Sequence, residues 1–128
     1  MNSDSGGVSV LMVALVALLA VVGIGVTSVG GLLAAREQAF SAAEAAALAA
    51  AVATYPPAAS ENPARLARDY AAANGASLVT CRCTVDGTMK VRTVTVVAAV
   101  TSDVPLFGEL AVKGAARAEF DPRAWMGR

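Results

Sequence analysis

Cys81 and Cys83, separated by one arginine, are the residues whose type and spacing most suggest covalent chemistry. The sequence contains no histidine, which excludes the Ser-His-Asp and Cys-His arrangements of nucleophilic catalysis. A four-ligand zinc site would need unusual help from carboxylates. The C-x-C spacing also differs from the C-x-x-C motif of redox proteins. A redox or metal site is therefore the least favoured interpretation of the pair.

Two other interpretations of the cysteines stay open. Both side chains can lie on the inner face of a strand, where a cysteine behaves as a small apolar residue. They can also form a disulfide, although Cα atoms two residues apart in a strand are about 6.5–7 Å apart, at the limit of disulfide geometry. A bond to another chain would avoid that strain.

The remaining polar residues do not suggest a site. The carboxylates are scattered, and their positions are mostly in predicted loops or termini: Asp69, Asp86, Asp103, Glu109, Glu119 and Asp121. The glycines of Gly23-Ile24-Gly25 and Gly30-Gly31 lie in an apolar run and lack the strand-turn-helix context of a phosphate-binding loop. Ten basic and ten acidic residues give zero net charge, so there is no electrostatic footprint for nucleic acid. We expect no catalytic residue, cofactor, metal, nucleic acid or small-molecule substrate.

An uncharged run from Ser5 to Ala35 dominates the sequence. About twenty apolar residues suffice to cross a bilayer, so we predict a transmembrane helix over 8–33. The rest of a 128-residue chain is too short to enclose a helix that is apolar on all sides. A cleavable secretory signal is also disfavoured, because the run is too long and residues 1–7 contain no Lys or Arg. We therefore predict a short leader over 1–7 followed by a retained anchor.

An alanine-rich helical extension is predicted over 34–55, ending at Pro56-Pro57. Its alanines can allow close contact with a partner helix, or they can simply be good helix formers, and the sequence does not decide between these. Small residues in the membrane segment can also favour helix association. The candidate helix-packing residues are Gly23, Ser28, Gly30 and Gly31 in the membrane, and Ala39, Ala42, Ala43 and Ala46 in the extension.

Residues 56–128 are predicted to form a small domain, called the head. It consists of a loop and short helix over 56–75, an antiparallel β region over 76–121 and a loose tail over 122–128. Asn62 suits a helix N-cap, Pro63 the first helical position, and Asn74-Gly75 the end, which predicts a helix over 63–73. Segments rich in Val, Thr and Cys predict strands over 78–85 and 90–101. A third strand is predicted over 109–120, with 102–108 as the connection. The fold class is α+β: a long transmembrane helix extended as a stalk, a short helix and a three-stranded antiparallel meander.

The first hairpin is predicted to turn at Asp86-Gly87, in a three-residue loop that begins at Val85. This register assigns alternate residues to opposite faces of the sheet. One face is predicted to carry Val79, Cys81, Cys83, Met89 and Val91, and the other Thr80, Arg82, Thr84, Lys90 and Arg92.

This order of features resembles a type IV pilin-like subunit, and three motifs narrow the resemblance. Ser5-Gly6-Gly7-Val8-Ser9-Val10, followed at once by the apolar run, resembles the start of TadE-like proteins of Tad (tight adherence) pilus systems. The segment 36–51, which reads REQAFSAAEAAALAAA, is similar to the Ala-rich pattern that follows the membrane helix in that family. The segment 71–76, which leads into a Cys-bearing strand, resembles short actinobacterial members.

The resemblance implies a single-pass membrane protein that acts by assembly, with membrane lipid and other pilin-like or Tad proteins as partners and no enzymatic activity. It implies leader cleavage after Gly6 or Gly7. Pilins carry a Glu at position five of the mature chain, which pairs with the α-amino group of a neighbour, but here that position is Leu11 or Met12. A minor or accessory subunit is therefore expected. The alternative is a bitopic membrane-anchored thiol-redox protein that uses Cys81 and Cys83.

The two indications of topology disagree. Arg36 is the single basic residue close to the ends of the membrane segment, and by the positive-inside rule it favours a cytoplasmic C-terminal domain. The family resemblance implies the opposite orientation. We follow the family and expect a cytoplasmic-membrane protein whose C-terminal domain is extracytoplasmic.

Overall fold

The computed structural model describes residues 4–127, with side chains from Gly7 onward. Six elements follow one another along the chain: α1 (Asp4–Ala53), α2 (Pro63–Ala73), β1 (Ser77–Arg82), β2 (Arg92–Val104), β3 (Gly108–Phe120) and α3 (Pro122–Met126). The strands form one antiparallel sheet in the order β1-β2-β3. A long helix, a short helix and an antiparallel meander confirm the predicted α+β class.

Helix α1 is continuous for 50 residues, or about 75 Å at 1.5 Å per residue. No proline interrupts it, and it ends at Ala53, shortly before Pro56-Pro57. The first three residues of the predicted leader lie outside the described residues. Gly6 and Gly7 lie within the first turns of the helix.

Helix α2 begins and ends at the predicted residues, because local signals define both of its ends. The Asn62 side chain accepts hydrogen bonds from the backbone N–H groups of Ala64 and Arg65, at 3.0 and 3.1 Å. Gly75 takes a positive φ of 73°, and the next N–H, that of Ala76, donates to the Ala71 carbonyl at 3.0 Å. The helix packs against α1 through an alanine face.

The predicted tight hairpin between β1 and β2 is wrong. Strand β1 ends at Arg82 and β2 begins at Arg92, so residues 83–91 form a longer loop. Cys81 lies opposite Val96, whereas the predicted three-residue loop would have placed it opposite Val91. The register is instead set by the inner face of β2, where Val94, Val96, Ala98 and Val100 alternate and are buried.

Because of this register, several side chains lie on a different face of the sheet from the one predicted. The register of β1 shifts between Leu78 and Thr80, which leaves Val79 exposed rather than inward. Val91 is also exposed, in the loop before β2. Arg92 has the same inward parity as Val94 and therefore shares a face with Cys81, contrary to the prediction.

Strands β2 and β3 form a regular ladder of thirteen residue pairs, from Arg92↔Phe120 to Val104↔Gly108. Their connection is the three-residue loop 105–107, shorter than the predicted 102–108. The inner face of this ladder packs against α1. The tail is not loose over Pro122–Met126, because Asp121 caps a short helix there and Trp125 packs edge-on against Tyr55, with ring centroids 6.5 Å apart.

Candidate functional site

The N-terminal part of α1, residues 7–27, is exposed on every side and is called the bare segment below. Its side chains are mainly Val, Leu, Ala and Met, and Leu11 is 72% exposed. These 21 residues span about 31 Å, close to the hydrocarbon thickness of a bilayer, about 30 Å. By length and composition the helix can cross a membrane.

The C-terminal part of α1, residues 35–53, carries the head and is called the docked segment. The four candidate packing alanines Ala39, Ala42, Ala43 and Ala46 are all fully buried here. They belong to one core with residues of α2, β2 and β3. The sequence left open a partner helix or simple helix propensity, but these alanines are covered by the chain's own head.

Close approach explains why the docked face is alanine. A Cβ atom placed on Gly114 of β3 would lie 2.4 Å from the carbonyl carbon of Ala39 and 2.5 Å from the amide nitrogen of Phe40. The backbones of β3 and α1 therefore touch at this point, which larger side chains on either element would prevent. The head is held on α1 by small residues at close range.

The four candidate packing residues of the membrane segment divide into two groups. Gly23, Gly30 and Gly31 have open space where a Cβ atom would lie. Ser28 is half-buried beside the end of the β2–β3 hairpin, and its hydroxyl donates to the Ile24 carbonyl at 2.8 Å. Helix association through the three glycines stays a prediction.

The cysteine pair lies where β1 ends. Cys81 is the strand's penultimate residue, and Cys83 follows the strand. Their Cα atoms are 5.4 Å apart and their sulfur atoms are in bonding contact. The Cα separation is inside the usual disulfide range because Cys83 has left the extended strand. Both side chains also pack against the core, as the apolar interpretation expected.

Arg92 holds together the end of the head that contains the loop 83–91. The sequence analysis assigned it no role. Its guanidinium donates to the carbonyls of Thr54 and Lys90 at 3.1 Å, and also to those of Asp86 and Thr88. The same group lies 5.6 Å from the centroid of the Tyr55 ring. One side chain thus ties the loop 83–91 to the residues that follow α1. Its inward parity with Val94 and Val96 was the signal available in the sequence.

Asp86 shapes the same loop. Its carboxylate accepts hydrogen bonds from the backbone N–H of Thr88 at 2.8 Å and from the Thr88 hydroxyl at 2.9 Å. These bonds, with smaller contributions from the charges of Arg92 and Lys90, hold the pKa of Asp86 below its ordinary value. The turn residue predicted for a hairpin therefore closes a local turn inside a longer loop.

A second face of the docked segment was also missed. Phe40, Leu48 and Val52 are exposed on α1 at spacings of eight and four residues, which place them on one side of the helix. Arg36 lies over the Phe40 ring, 5.7 Å from its centroid. We call these three apolar residues the outer stripe. Leu48 is 64% exposed, whereas Phe40 and Val52 are 36% and 37% exposed, so the head leaves this stripe uncovered in part.

A comparison with protein families assigns the helix that carries these features. The family model described as "Putative Flp pilus-assembly TadE/G-like" matches residues 6–53, which is almost the whole of α1. Comparison with curated proteins and with solved structures gave no significant match. The match covers both the bare and the docked segment, and it includes the segment 36–51 on which the resemblance was partly based, but not the segment 71–76. Over its N-terminal helix, residues 6–53, the chain is therefore similar to the Flp pilus-assembly TadE/G-like family.

Proposed function

We propose that this chain is a single-pass membrane subunit of a Tad-type pilus or secretion apparatus, and that it acts by protein-protein assembly rather than catalysis. The observation that carries the proposal is the bare segment, a family-matched helix of membrane length that continues without a break into the docked segment. A rigid connection of this kind transmits the position of the membrane helix directly to the head.

We assign the chain a minor or accessory role because of its first turns. If the leader is removed after Gly6 or Gly7, the fifth residue is Leu11 or Met12, and both side chains are exposed on the bare segment. Neither can neutralise the α-amino group of a neighbouring subunit in an apolar filament core, where an unpaired charge is costly. Its own amine can still pair with a Glu from a different subunit. Such a chain fits one end of an assembly better than its repeating body.

The outer stripe supplies a surface for contacts between subunits. The alanine face of the docked segment is occupied by α2 and the sheet, so a partner must approach from another side. Phe40, Leu48 and Val52 form such a side, continuous with the bare segment along one helix. We propose that partner helices pack along α1 through both.

The proposed orientation places the head outside the cytoplasm, with Cys81 and Cys83 as a disulfide. Disulfides persist in oxidising compartments and are rare in the cytosol, which supports this orientation against the indication from Arg36. Alkylation of the membrane-extracted chain should add two alkyl groups only after reduction, as measured by mass spectrometry. Alkylation of both thiols without reductant would contradict the disulfide. Loss of an activity on reduction would instead favour the thiol-redox alternative.

Assembly is tested by co-purification from membranes that contain the other Tad components. The unaltered chain should carry pilin-like partners with it, and its mass should show an N-terminus at Gly7 or Val8. The variant Leu48→Asp should lose partners, whereas Val79→Asp, at an exposed apolar residue of the edge strand β1, should retain them. Sheared filaments containing this protein alone, after expression with a matching peptidase, would refute the minor role.

A further inference from the structure

The closing loop of the β2–β3 hairpin lies alongside the C-terminal part of the bare segment. The ladder begins at Arg92, next to Thr54 at the end of α1, and runs back along the helix. Its closing loop, Pro105-Leu106-Phe107, lies across a groove from α1 residues between Val21 and Leu32. The head therefore reaches back along about a third of the uncharged run.

The loop has an unusual composition for a turn in water. Leu106 is 88% exposed and Phe107 is 76% exposed, among the most exposed large apolar side chains of residues 7–127. Leu106 also has a φ of 74°, a left-handed conformation that usually selects Gly, Asn or Asp. In a turn exposed to water, Gly, Asn or Asp would be favoured at this position, whereas this turn has an apolar side chain there.

The groove between the loop and the helix is also apolar. It has a volume of about 560 Å³ and is lined by Ile24, Val29 and Leu32 on one side and by Leu106, Phe107 and Leu110 on the other. Ser28 is the polar side chain among the described residues that line it, and its hydroxyl is already bonded to the Ile24 carbonyl. The groove thus offers nothing to a polar ligand.

The height of the loop matches the membrane boundary. With residues 7–27 spanning the hydrocarbon, the groove begins about 9 Å inside it, at Val21, and continues past its edge to Leu32. The first charged residues above the loop are Asp103 and Glu109, which pair across the ladder on the face turned away from α1. They limit the depth of insertion to the loop itself.

We propose that residues 105–107 insert into the lipid beside the transmembrane helix and form a second membrane contact of the head. The occupant of the groove is lipid acyl chain, because the groove is continuous with the bare segment that the bilayer surrounds. The backbone suits this setting: Pro105 has no N–H group, and the N–H of Phe107 donates to the Val104 carbonyl at 3.0 Å. The contact fixes the height and rotation of the head relative to the membrane, whichever side the head occupies. The inference rests on the membrane anchor of the proposed function, but not on assembly.

Tryptophan fluorescence in vesicles tests the insertion. The chain has one tryptophan, Trp125, so the parent variant is Trp125→Phe. Phe107→Trp and Leu106→Trp report on the loop in that background, and Val85→Trp in the loop 83–91 is the matched control at the opposite end of the head. Each full-length variant is reconstituted in phosphatidylcholine vesicles with and without brominated acyl chains. We expect blue-shifted emission and loss of most intensity in brominated vesicles at both hairpin positions, and neither effect at position 85.

The outcomes separate the proposals. A variant that floats with vesicles but shows red, unquenched emission at both hairpin positions overturns the insertion and leaves the anchor intact. Blue-shifted but unquenched emission means that protein, such as a second copy, covers the loop, and this also overturns the proposal. Failure of the parent to float with vesicles overturns the anchor and the insertion together.

The unaltered chain provides a measurement that no substitution can disturb. Vesicles with a photoactivatable group in the acyl chains should label the tryptic peptide 93–113, which contains the loop, and leave the peptide 83–90 unlabelled. Absence of label from 93–113, with label present on the bare segment, would contradict insertion even if every tryptophan variant misfolds.

Discussion

The bare and docked segments of α1 invert the usual relation between side-chain size and burial. In the bare segment, Val, Leu and Met side chains are exposed along 21 residues, whereas in the docked segment the buried side chains are almost all alanine. Large apolar side chains are normally the most buried residues of a soluble domain. The comparison shows that one continuous helix has two kinds of surface: a bare one of apolar bulk that the head does not cover, and a docked one of small residues in close contact with the head.

Two glycines, Gly31 and Gly114, show the same difference between the two regions. Gly31, just beyond the bare segment, has open space where a Cβ atom would lie, whereas Gly114 has the backbone of Ala39 and Phe40 there. Within the chain, glycine is therefore unconstrained by its neighbours at position 31 and required by close backbone contact at position 114.

The largest effect is expected from charging the bare segment. Val16→Arg combined with Leu19→Arg should cost about 2.5–3.5 kcal/mol for each residue on a membrane-insertion scale, because both side chains lie mid-segment. The unaltered chain should stay in membranes during alkaline carbonate extraction, and the double variant should be released or fail to insert. Val85→Arg, in the head, should behave like the unaltered chain. Solubility of the unaltered chain in carbonate would contradict the membrane assignment.

In the docked segment, the largest effect is expected from Gly114→Ala. The added methyl group meets backbone atoms that cannot rotate away, so we expect a loss of stability of about 3 kcal/mol, at the upper end of overpacking costs. Gly31→Ala is the matched control and should cost nothing, since open space surrounds it and alanine is the better helix former. Thermal unfolding of both full-length variants, followed by circular dichroism in the same detergent, measures the difference. Equal melting temperatures would show that β3 does not touch α1 at Ala39.

Arg92→Ala should have an intermediate effect, about 2 kcal/mol, because hydrogen bonds from a charged donor to the carbonyls of Thr54 and Lys90 are lost. The Thr54 carbonyl keeps the hydrogen bond that it accepts from the Asp86 N–H at 2.9 Å. Arg92→Lys should recover only part of this, since an ammonium group lacks the planar fork that reaches several carbonyls at once. Arg82→Ala, at an exposed arginine, is the control. The same unfolding experiment measures all three. A loss at Arg82 as large as that at Arg92 would remove the special role of the latter.

How far the sequence predicts this structure depends on the range of the interactions involved. The ends of α2 were predictable because Asn62, Pro63 and Gly75 act through bonds within a few residues. The register of β1 was not, because it depends on which face of β2 meets α1, a contact between distant parts of the chain. Asp86-Gly87 is a strong local hairpin signal, yet the packing of Val94 and Val96 overrode it.

The candidate site shows the same division. The bare segment was evident from composition, since a run of uncharged residues needs no tertiary information. The role of Ala39, Ala42, Ala43 and Ala46 was not evident, because alanine is equally suited to a helix surface, a partner helix and a close-packed core. The loop 105–107 was predicted simply as part of a connection, because its position beside Val21–Leu32 follows from the length of the ladder rather than from its own residues.

The smallest effect is expected at Asp86, and it is a dependence on pH. The hydrogen bonds from Thr88 favour the ionised carboxylate, so the pKa of Asp86 is lower in the folded chain than its ordinary value of 3.8. A lowered pKa means that the stabilisation is present above pH 3.8 and is lost as the pH falls through the lower, folded value. Asp86→Asn should therefore melt at a slightly lower temperature than the unaltered chain at pH 6, and the difference should close below pH 3.8.

Glu119→Gln, on the exposed face of β3, is the control and should not reproduce this pattern. A difference between Asp86→Asn and the unaltered chain that grows as the pH falls would contradict the sign of the effect. Because the loop 83–91 lies at the end of the head farthest from the bare segment, this titration should leave vesicle binding unchanged, which separates the stability of the head from the anchoring of the helix.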